Sequence, residues 1–125
     1  MGMAEKIQKK SLRTKTDYSD QGQIGAFIET MELLRSLDSE FPIQHAISLG
    51  IISLNPGLSL TQLADKTELT LSTVSRIVGA LSDHRANGNP HYLIEVKVSK
   101  TERRKKELYL TKKGKAFLKK IENCF

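Results

Sequence analysis

Several residue types that define other classes of protein are scarce in this sequence. It contains one cysteine, Cys124, only three prolines and no tryptophan. A single cysteine excludes a disulfide framework within the chain. No apolar run approaches the roughly 18 residues that a membrane-spanning helix needs, and the N-terminus lacks the apolar core of a signal peptide. We therefore expect a cytoplasmic protein that has no membrane partner.

Residue patterns for catalysis or metal binding are also absent. The three histidines, His45, His84 and His91, do not pair with a cysteine or a carboxylate at metal-binding or catalytic spacing. The sequence has no glycine-rich loop of the kind that cradles phosphates. We expect a protein that is not an enzyme and that holds neither a metal nor another cofactor.

Positive charge is concentrated in one part of the chain. The 125 residues include 20 lysines and arginines against 14 acidic residues, which gives a formal net charge of +6. Residues 97–120 alone hold 11 basic and two acidic side chains, a net charge of +9, so the remainder sums to −3. Such a local basic cluster is typical of a surface that binds nucleic acid.

Residues 59–81 have the pattern of two short helices joined by a turn. Ser59 and Gln62 form a capping box for the first helix, and Thr70 is placed to cap the second. The apolar stripe of the second helix consists of Val74, Ile77, Val78 and Leu81. Its opposite side carries Ser72, Thr73, Ser75 and Arg76. This pattern favours a helix-turn-helix, although two amphipathic helices can also be ordinary core packing.

The flanking residues predict a small domain around this motif. Periodicity predicts a helix at 20–37, capped by Asp20 or Ser19, and a helix that starts at Pro42, ends before Asn55 and is buried nearly all round. Alternation at 92–98 and a returning strand at 107–110 predict a β-hairpin, with one side formed by Tyr92, Ile94, Val96 and Val98. Its basic tip contains Lys100, Arg103, Arg104, Lys105 and Lys106.

The order of these elements is that of a winged helix, a mainly α fold with a small β-hairpin. Thr111 is placed to cap a last helix, with an apolar stripe of Phe117, Leu118, Ile121 and Phe125. We predict a basic, mobile arm at 1–19 and a winged-helix domain at 20–125. In that domain the helix-turn-helix is 59–81, a loop covers 82–91, the wing is 92–110 and the last helix is 111–125.

Two motifs resemble those of the MarR family of bacterial regulators. The first runs from Asn55-Pro56-Gly57 to Leu81. The second is Glu102-Arg103-Arg104 followed, after five intervening residues, by Leu110-Thr111-Lys112-Lys113-Gly114. The family usually has aspartate where Glu102 stands, and the resemblance covers about residues 41–118. It implies a winged-helix transcriptional regulator, a repressor more often than an activator, in the bacterial cytoplasm or nucleoid.

The C-terminal part departs from the family, because only 11 residues follow Gly114. Family members generally continue into long helices that form a dimer. We still expect a homodimer, through residues Ile24 to Leu37 and Phe117 to Phe125. We expect no small-molecule effector, because a pocket for one would need the missing helices.

The resemblance and the charge pattern together predict sequence-specific binding of double-stranded DNA. The recognition helix 71–81 would enter the major groove, where Ser72, Thr73 and Ser75 contact bases or phosphates and Arg76 binds a guanine edge or a phosphate. The wing residues 99–106 would lie on the minor groove or on phosphates. Two alternatives remain open: a protein–protein assembly module, and a DNA-binding accessory factor in replication or recombination.

Overall fold

The computed structural model describes Tyr18, residues 20–83 and residues 89–125. These residues form helices α1 (Gly22–Leu37), α2 (Ile43–Leu54), α3 (Leu60–Thr67) and α4 (Leu71–Leu81), strands β1 (Ile94–Val98) and β2 (Lys106–Leu110), and helix α5 (Lys112–Glu122). The predicted fold class, mainly α with one hairpin, is confirmed. Nearly all of the predicted arm and the centre of the predicted 82–91 loop lie outside the described residues. None of the described helices is long and apolar enough to cross a membrane.

Helices α3 and α4 begin at the residues that cap them. Ser59 Oγ accepts a hydrogen bond from Gln62 N at 3.1 Å, and Ser59 N donates to Gln62 Oε1 at 2.8 Å, so the predicted capping box is present. Thr70 Oγ1 accepts from Thr73 N at 3.2 Å at the start of α4. Between the helices, Glu68 adopts a left-handed backbone with φ 58°. Local hydrogen bonding and this turn therefore define the helix-turn-helix.

One hydrophobic core holds the recognition helix in place. The stripe predicted for α4 is buried, with Val74 and Leu81 fully inaccessible to solvent. The other fully buried large side chains come from α2, α3 and the wing: Leu49, Ile52, Leu63, Leu93, Ile94 and Leu108. Because burial of one such side chain contributes about 1.5–3 kcal/mol, α4 is fixed with its polar side outward.

Helix α2 is buried along one side only, which corrects the expectation of burial nearly all round. Leu49 and Ile52 are each 1% exposed, whereas Ile43 and Leu54 are 76% and 81% exposed. The buried side packs against α3, α4 and β2. Among the described elements, none covers the other side, so an apolar sequence has produced an apolar surface.

The ends of α1 and α5 also differ from the predictions. Gln21, rather than Asp20 or Ser19, is the N-cap of α1, and its side chain makes no capping hydrogen bond. Thr111 caps α5 as predicted, since its Oγ1 accepts from the amide of Gly114 at 3.0 Å. The helix ends before Phe125, which is 70% exposed and does not continue the buried stripe.

The first strand of the wing is shorter than predicted, and different residues face the core. Tyr92 has φ 57°, which interrupts the extended backbone, and β1 begins only at Ile94. Leu93 and Ile94 are both buried, whereas Tyr92, Val96 and Val98 are exposed. The predicted strand is therefore confirmed only from Ile94 onward, because the left-handed backbone takes Tyr92 out of it. Val96 and Val98 lie on an exposed part of the hairpin.

Candidate nucleic-acid interface

The outward side of α4 presents a row of hydroxyl groups and one cation. Ser72, Ser75 and Arg76 are exposed, and Thr73 is half-buried. Thr70 Oγ1 donates to Thr73 Oγ1 at 2.9 Å and lies 3.3 Å from Ser72 Oγ. Hydroxyls both donate and accept hydrogen bonds, and they are short enough to let a second molecule approach the helix backbone. The leading end of α4 is thus a compact hydrogen-bonding surface.

Three exposed arginines have no carboxylate partner within the part of the chain that the structure describes. Among the residues that the structure describes, no carboxylate lies within ion-pair distance of Arg76, Arg103 or Arg104. Their guanidinium groups retain all their N–H donors for a partner. Lys105 differs, because its Nζ lies 3.8 Å from Glu102 Oε1 and its side chain is 39% exposed. Among the described cations of the wing loop, Lys105 thus shares its charge with a carboxylate, whereas Arg103 and Arg104 do not.

The loop between β1 and β2 is closed by hydrogen bonds to Ser99. Ser99 N donates to the carbonyl of Lys105 at 2.8 Å. Ser99 Oγ accepts from the amides of Thr101 at 3.3 Å and Glu102 at 3.2 Å. A serine side chain that binds nearby amides stabilises a turn, so the arginines project from an ordered loop. Lys106, predicted to be in this tip, is the first residue of β2.

Strand β2 is paired along both edges, and this ties the wing to the helix-turn-helix. Strand β1 lies antiparallel along one edge. Along the other, Gly57 N donates to Leu108 O at 2.8 Å, and Leu108 N donates to Leu58 O at 2.9 Å. The sequence pattern did not predict this pairing segment before α3. It is too short to show an alternating pattern, so only its pairing partner reveals it.

A cluster around Tyr109 supports the outer side of this junction. Tyr109 Oη donates to Glu107 Oε1 at 3.0 Å, and Lys97 Nζ lies 5.2 Å from the centre of the tyrosine ring. The hydrogen bond to Glu107, aided by desolvation and by the negative charge of Glu107, raises the pKa of Tyr109. Gly57 has φ +88°, and a Cβ there would lie 3.1 Å from Tyr109 Oη, so this position requires glycine.

Backbone hydrogen bonds also join the wing to the end of α4. His91 N donates to Ala80 O at 3.0 Å, and Leu93 N donates to Leu81 O at 2.7 Å. From the other side, a Cβ on Gly114 would collide with the carbonyl of Leu93, so α5 approaches this segment closely only because residue 114 is glycine. The recognition helix and the wing are therefore held in one fixed relation.

A groove of about 560 Å³ lies between the wing and the starts of α3 and α4. We call it the basic groove, and it is lined by Ser59, Leu60, Thr61, Leu71, Glu102, Arg104, Lys105 and Lys106. Three of the predicted site residues meet here, namely Arg104, Lys105 and Lys106. The other predicted residues do not line it: Ser72, Thr73, Ser75, Arg76, Lys100 and Arg103.

Five lining residues were absent from the predicted site: Ser59, Leu60, Thr61, Leu71 and Glu102. Ser59 was predicted only as a helix cap. Its place at the start of a helix that precedes a basic hairpin could have indicated that the helix start and the hairpin line one surface. Leu71 precedes Val74 by three residues and Val78 by seven, which is the spacing of the buried stripe. Its 53% exposure was therefore not readable from periodicity.

A second groove, of about 570 Å³, lies between α1, α2 and α5. We call it the apolar groove, because its lining is mainly apolar: Phe27, Met31, Leu34, Phe41, Ile43, Ala46, Ile47, Leu49, Leu118 and Ile121, with a few polar residues. Phe27 and Met31 are 56% and 41% exposed. Within the described part of the chain, no group of three or more histidine, cysteine or acidic residues is placed to hold a metal.

Comparison of the sequence with protein families finds one match. A family model described as the IclR helix-turn-helix domain matches residues 51–86, from α2 through α4. This is a different family from the one that the sequence motifs resemble, and the two share the helix-turn-helix. No curated protein sequence matches the chain.

Solved structures are similar over most of the chain. FabT of Streptococcus pneumoniae, in complex with DNA, has a TM-score of 0.63 and 23% identity over 84% of this chain and 68% of FabT. The transcriptional repressor CouR, bound to a 23-mer DNA duplex, has a TM-score of 0.59 and 22% identity, and the match covers 84% of this chain and 68% of CouR. MepR in the S. aureus MepR–DNA complex has a TM-score of 0.67 and 20% identity, and the match covers 86% of this chain and 82% of MepR. These proteins are MarR-family winged-helix regulators, so the fold that the resemblance implied is confirmed.

Proposed function

We propose that this chain, which has the winged-helix fold of the MarR-family regulators, binds a specific sequence of double-stranded DNA and regulates transcription. The observation that carries the proposal is the basic groove, where an ordered cationic wing meets the starts of α3 and α4. The DNA complexes of FabT and MepR support it, since those chains have the same fold. We propose a repressor that acts in the bacterial cytoplasm, because CouR is a repressor and a protein bound over a promoter obstructs transcription by itself.

In this proposal α4 enters the major groove with its N-terminal end leading. Ser72, Thr73 and Ser75 bring the helix backbone close to the DNA and exchange hydrogen bonds with bases or phosphates. Arg76, exposed and unpaired, binds the edge of a guanine with two N–H donors. A bidentate contact of this kind contributes roughly 1–3 kcal/mol of discrimination against a wrong base.

The wing supplies affinity in the proposed complex. Arg103 and Arg104 extend toward the minor groove, where narrow tracts have an enhanced negative potential. Lys100, Lys105 and Lys106 neutralise phosphates, and Lys105 contributes less because Glu102 lies 3.8 Å from its Nζ. Release of counterions from neutralised phosphates makes such binding strongly dependent on salt.

We further propose that a second copy of the chain covers the apolar groove, rather than a small-molecule effector. Large exposed apolar surfaces mark protein interfaces, and Phe27, Met31 and Ile43 are 56%, 41% and 76% exposed. The predicted dimer segments on α1 and α5 both contribute to this groove, and α2 adds Ile43 and Ile47. A symmetric dimer would present two α4 helices to half-sites about one DNA turn apart, roughly 34 Å.

The first test measures mass and DNA binding together. Size-exclusion chromatography with light scattering is run with and without a random duplex of roughly 25 base pairs, long enough for two half-sites. The proposal expects a dimer that binds at low salt. A monomer that binds would contradict the dimer and favour an accessory factor in replication or recombination. Failure to bind DNA would contradict the main proposal.

Sequence readout is tested with Arg76→Ala on a binding site selected from randomised duplexes. We expect the preference for that site over random DNA to fall by roughly 1–3 kcal/mol, because the guanine contact is lost. Arg76→Lys is the matched control, since it keeps the charge without the planar fork. It should restore binding to random DNA and only part of the preference. If Arg76→Ala weakens binding to the selected site and to random DNA equally, Arg76 contacts a phosphate rather than a base.

A protein–protein assembly module is the second candidate function. The apolar groove favours it, because that groove is as large as the basic one and would suit a protein partner. The two functions differ in their response to polyanions. An assembly module should pass a heparin column at moderate salt, whereas a DNA-binding wing should retain the protein until the salt concentration is raised.

A further inference from the structure

We infer that Leu71 reads the 5-methyl group of a thymine in the major groove, an inference that rests on the proposed function. Leu71 is the first residue of α4 and is 53% exposed. It lines the basic groove together with the wing residues Arg104 and Lys106. The N-terminal residues of a recognition helix are the ones that contact base edges.

Leu71 is an apolar side chain among polar and cationic neighbours. Neighbouring positions carry hydroxyls, at Thr70, Ser72 and Thr61, and the facing wing is cationic. Leu60, the other leucine of the basic groove, is half-buried and packs against the core. Leu71 is therefore the only exposed large apolar side chain among the lining residues of this groove.

The major groove of DNA offers one apolar group that matches such a side chain. Adenine, guanine and cytosine present hydrogen-bonding atoms there, whereas thymine adds a methyl group on C5. The cations of the wing attract the phosphate backbone without reading sequence. When the wing has docked the protein, a leucine at the leading end of α4 is favoured over a thymine methyl and disfavoured over the polar edge of another base.

Replacement of thymine by deoxyuridine tests this inference, because it removes the methyl group and leaves every base-pair hydrogen bond intact. A site is first selected from randomised duplexes. Each of its thymines is then replaced in turn, and affinity is measured by fluorescence anisotropy at constant salt. We expect the wild-type protein to lose about fourfold in affinity at one thymine per half-site, the amount expected for one buried methyl group.

Leu71→Ala identifies the residue that contacts this methyl group. The variant should bind the thymine and deoxyuridine duplexes equally. Leu54→Ala is the matched control, an exposed leucine at the end of α2 that does not line the basic groove. It should keep the full sensitivity to deoxyuridine.

Each contrary outcome identifies what has failed. If the wild type binds DNA but no deoxyuridine substitution weakens it, the inference about Leu71 is overturned and the proposed function stands. If Leu71→Ala keeps the sensitivity, another residue contacts the methyl group, and the assignment to Leu71 is likewise wrong. If the wild type binds no DNA, both fail together. Leu71 is more than half exposed, so the variant should keep the helical circular dichroism of the wild type.

Discussion

The basic groove and the apolar groove are nearly equal in size and opposite in chemistry. The first has a volume of about 560 Å³ and is lined by hydroxyls, three cations and one exposed leucine. The second has a volume of about 570 Å³ and is lined mainly by aliphatic and aromatic side chains. Volume therefore says little about what each groove binds, and the lining residues decide it.

The difference in lining also predicts opposite responses to salt. Binding of a phosphate backbone weakens as salt rises, because released counterions drive it. Association of apolar surfaces depends on removal of apolar area from water and is strengthened by salts such as sulfate. We expect DNA binding and dimerisation of this protein to separate when the salt concentration is varied.

The largest effect is expected from charge placed in the apolar groove. Phe27→Glu together with Met31→Glu should weaken dimerisation on the order of 1,000-fold. The two copies together lose four apolar contacts, and each contributes about 1 kcal/mol because only about half of each side chain is exposed before association. Sedimentation equilibrium measures the dissociation constant. Leu54→Glu is the control, an exposed position outside this groove, and it should leave the dimer intact. An unchanged dimer in the double variant would show that a different surface associates.

A smaller effect is expected from removal of two charges beside the basic groove. Arg103→Ala with Arg104→Ala should lower the slope of log affinity against log salt by about 1.8, and affinity near 0.1 M salt by roughly 60-fold, because two cations that displace counterions from the DNA are lost. Anisotropy titrations at several salt concentrations measure both values. The control removes two exposed cations of α5, Lys119→Ala with Lys120→Ala, which do not line the basic groove. Equal slopes for the two double variants would exclude a special role for the wing.

The smallest effect is expected from a residue whose hydroxyl is already used inside the protein. Ser59 lines the basic groove, but its Oγ accepts the capping hydrogen bond of α3. Ser59→Ala should therefore lower the free energy of unfolding by about 1 kcal/mol and change DNA affinity little. Urea unfolding measures the first quantity. Ser36→Ala, inside α1, is the control and should shift stability by less than about 0.5 kcal/mol. A large loss of DNA affinity with unchanged stability would make Ser59 a direct contact.

Much of the fold was predictable because its signals are local. The capping box of α3, the Thr70 cap and the stripe from Val74 to Leu81 each involve residues three or four positions apart, and the structure contains all three. The hairpin was predictable in outline only. The left-handed backbone at Tyr92 delays the start of its first strand to Ile94, and the alternating pattern of residue types did not predict such a conformation.

The candidate site was predictable in its charge and incompletely in its geometry. Arg76, Arg103 and Arg104 belong to the predicted set, and they are exposed and without an ion-pair partner among the described residues. Their role on DNA remains a prediction. The ion pair between Glu102 and Lys105, and the exposure of Leu71, were not foreseen. Both depend on how a loop or a helix end is placed, which a pattern of residue types does not encode.

Sequence signals were sufficient to predict where α3, α4 and α5 start, which side of α4 is polar and where the positive charge lies. Hydrogen bonds and side-chain spacing within one or two helical turns are sufficient for these features. Only the tertiary structure decided that residues 57–58 pair with β2, that α2 is covered on one side, and that the wing and two helix starts enclose one groove. Exposure is set by which distant segments cover a surface, and those segments are brought together only by folding.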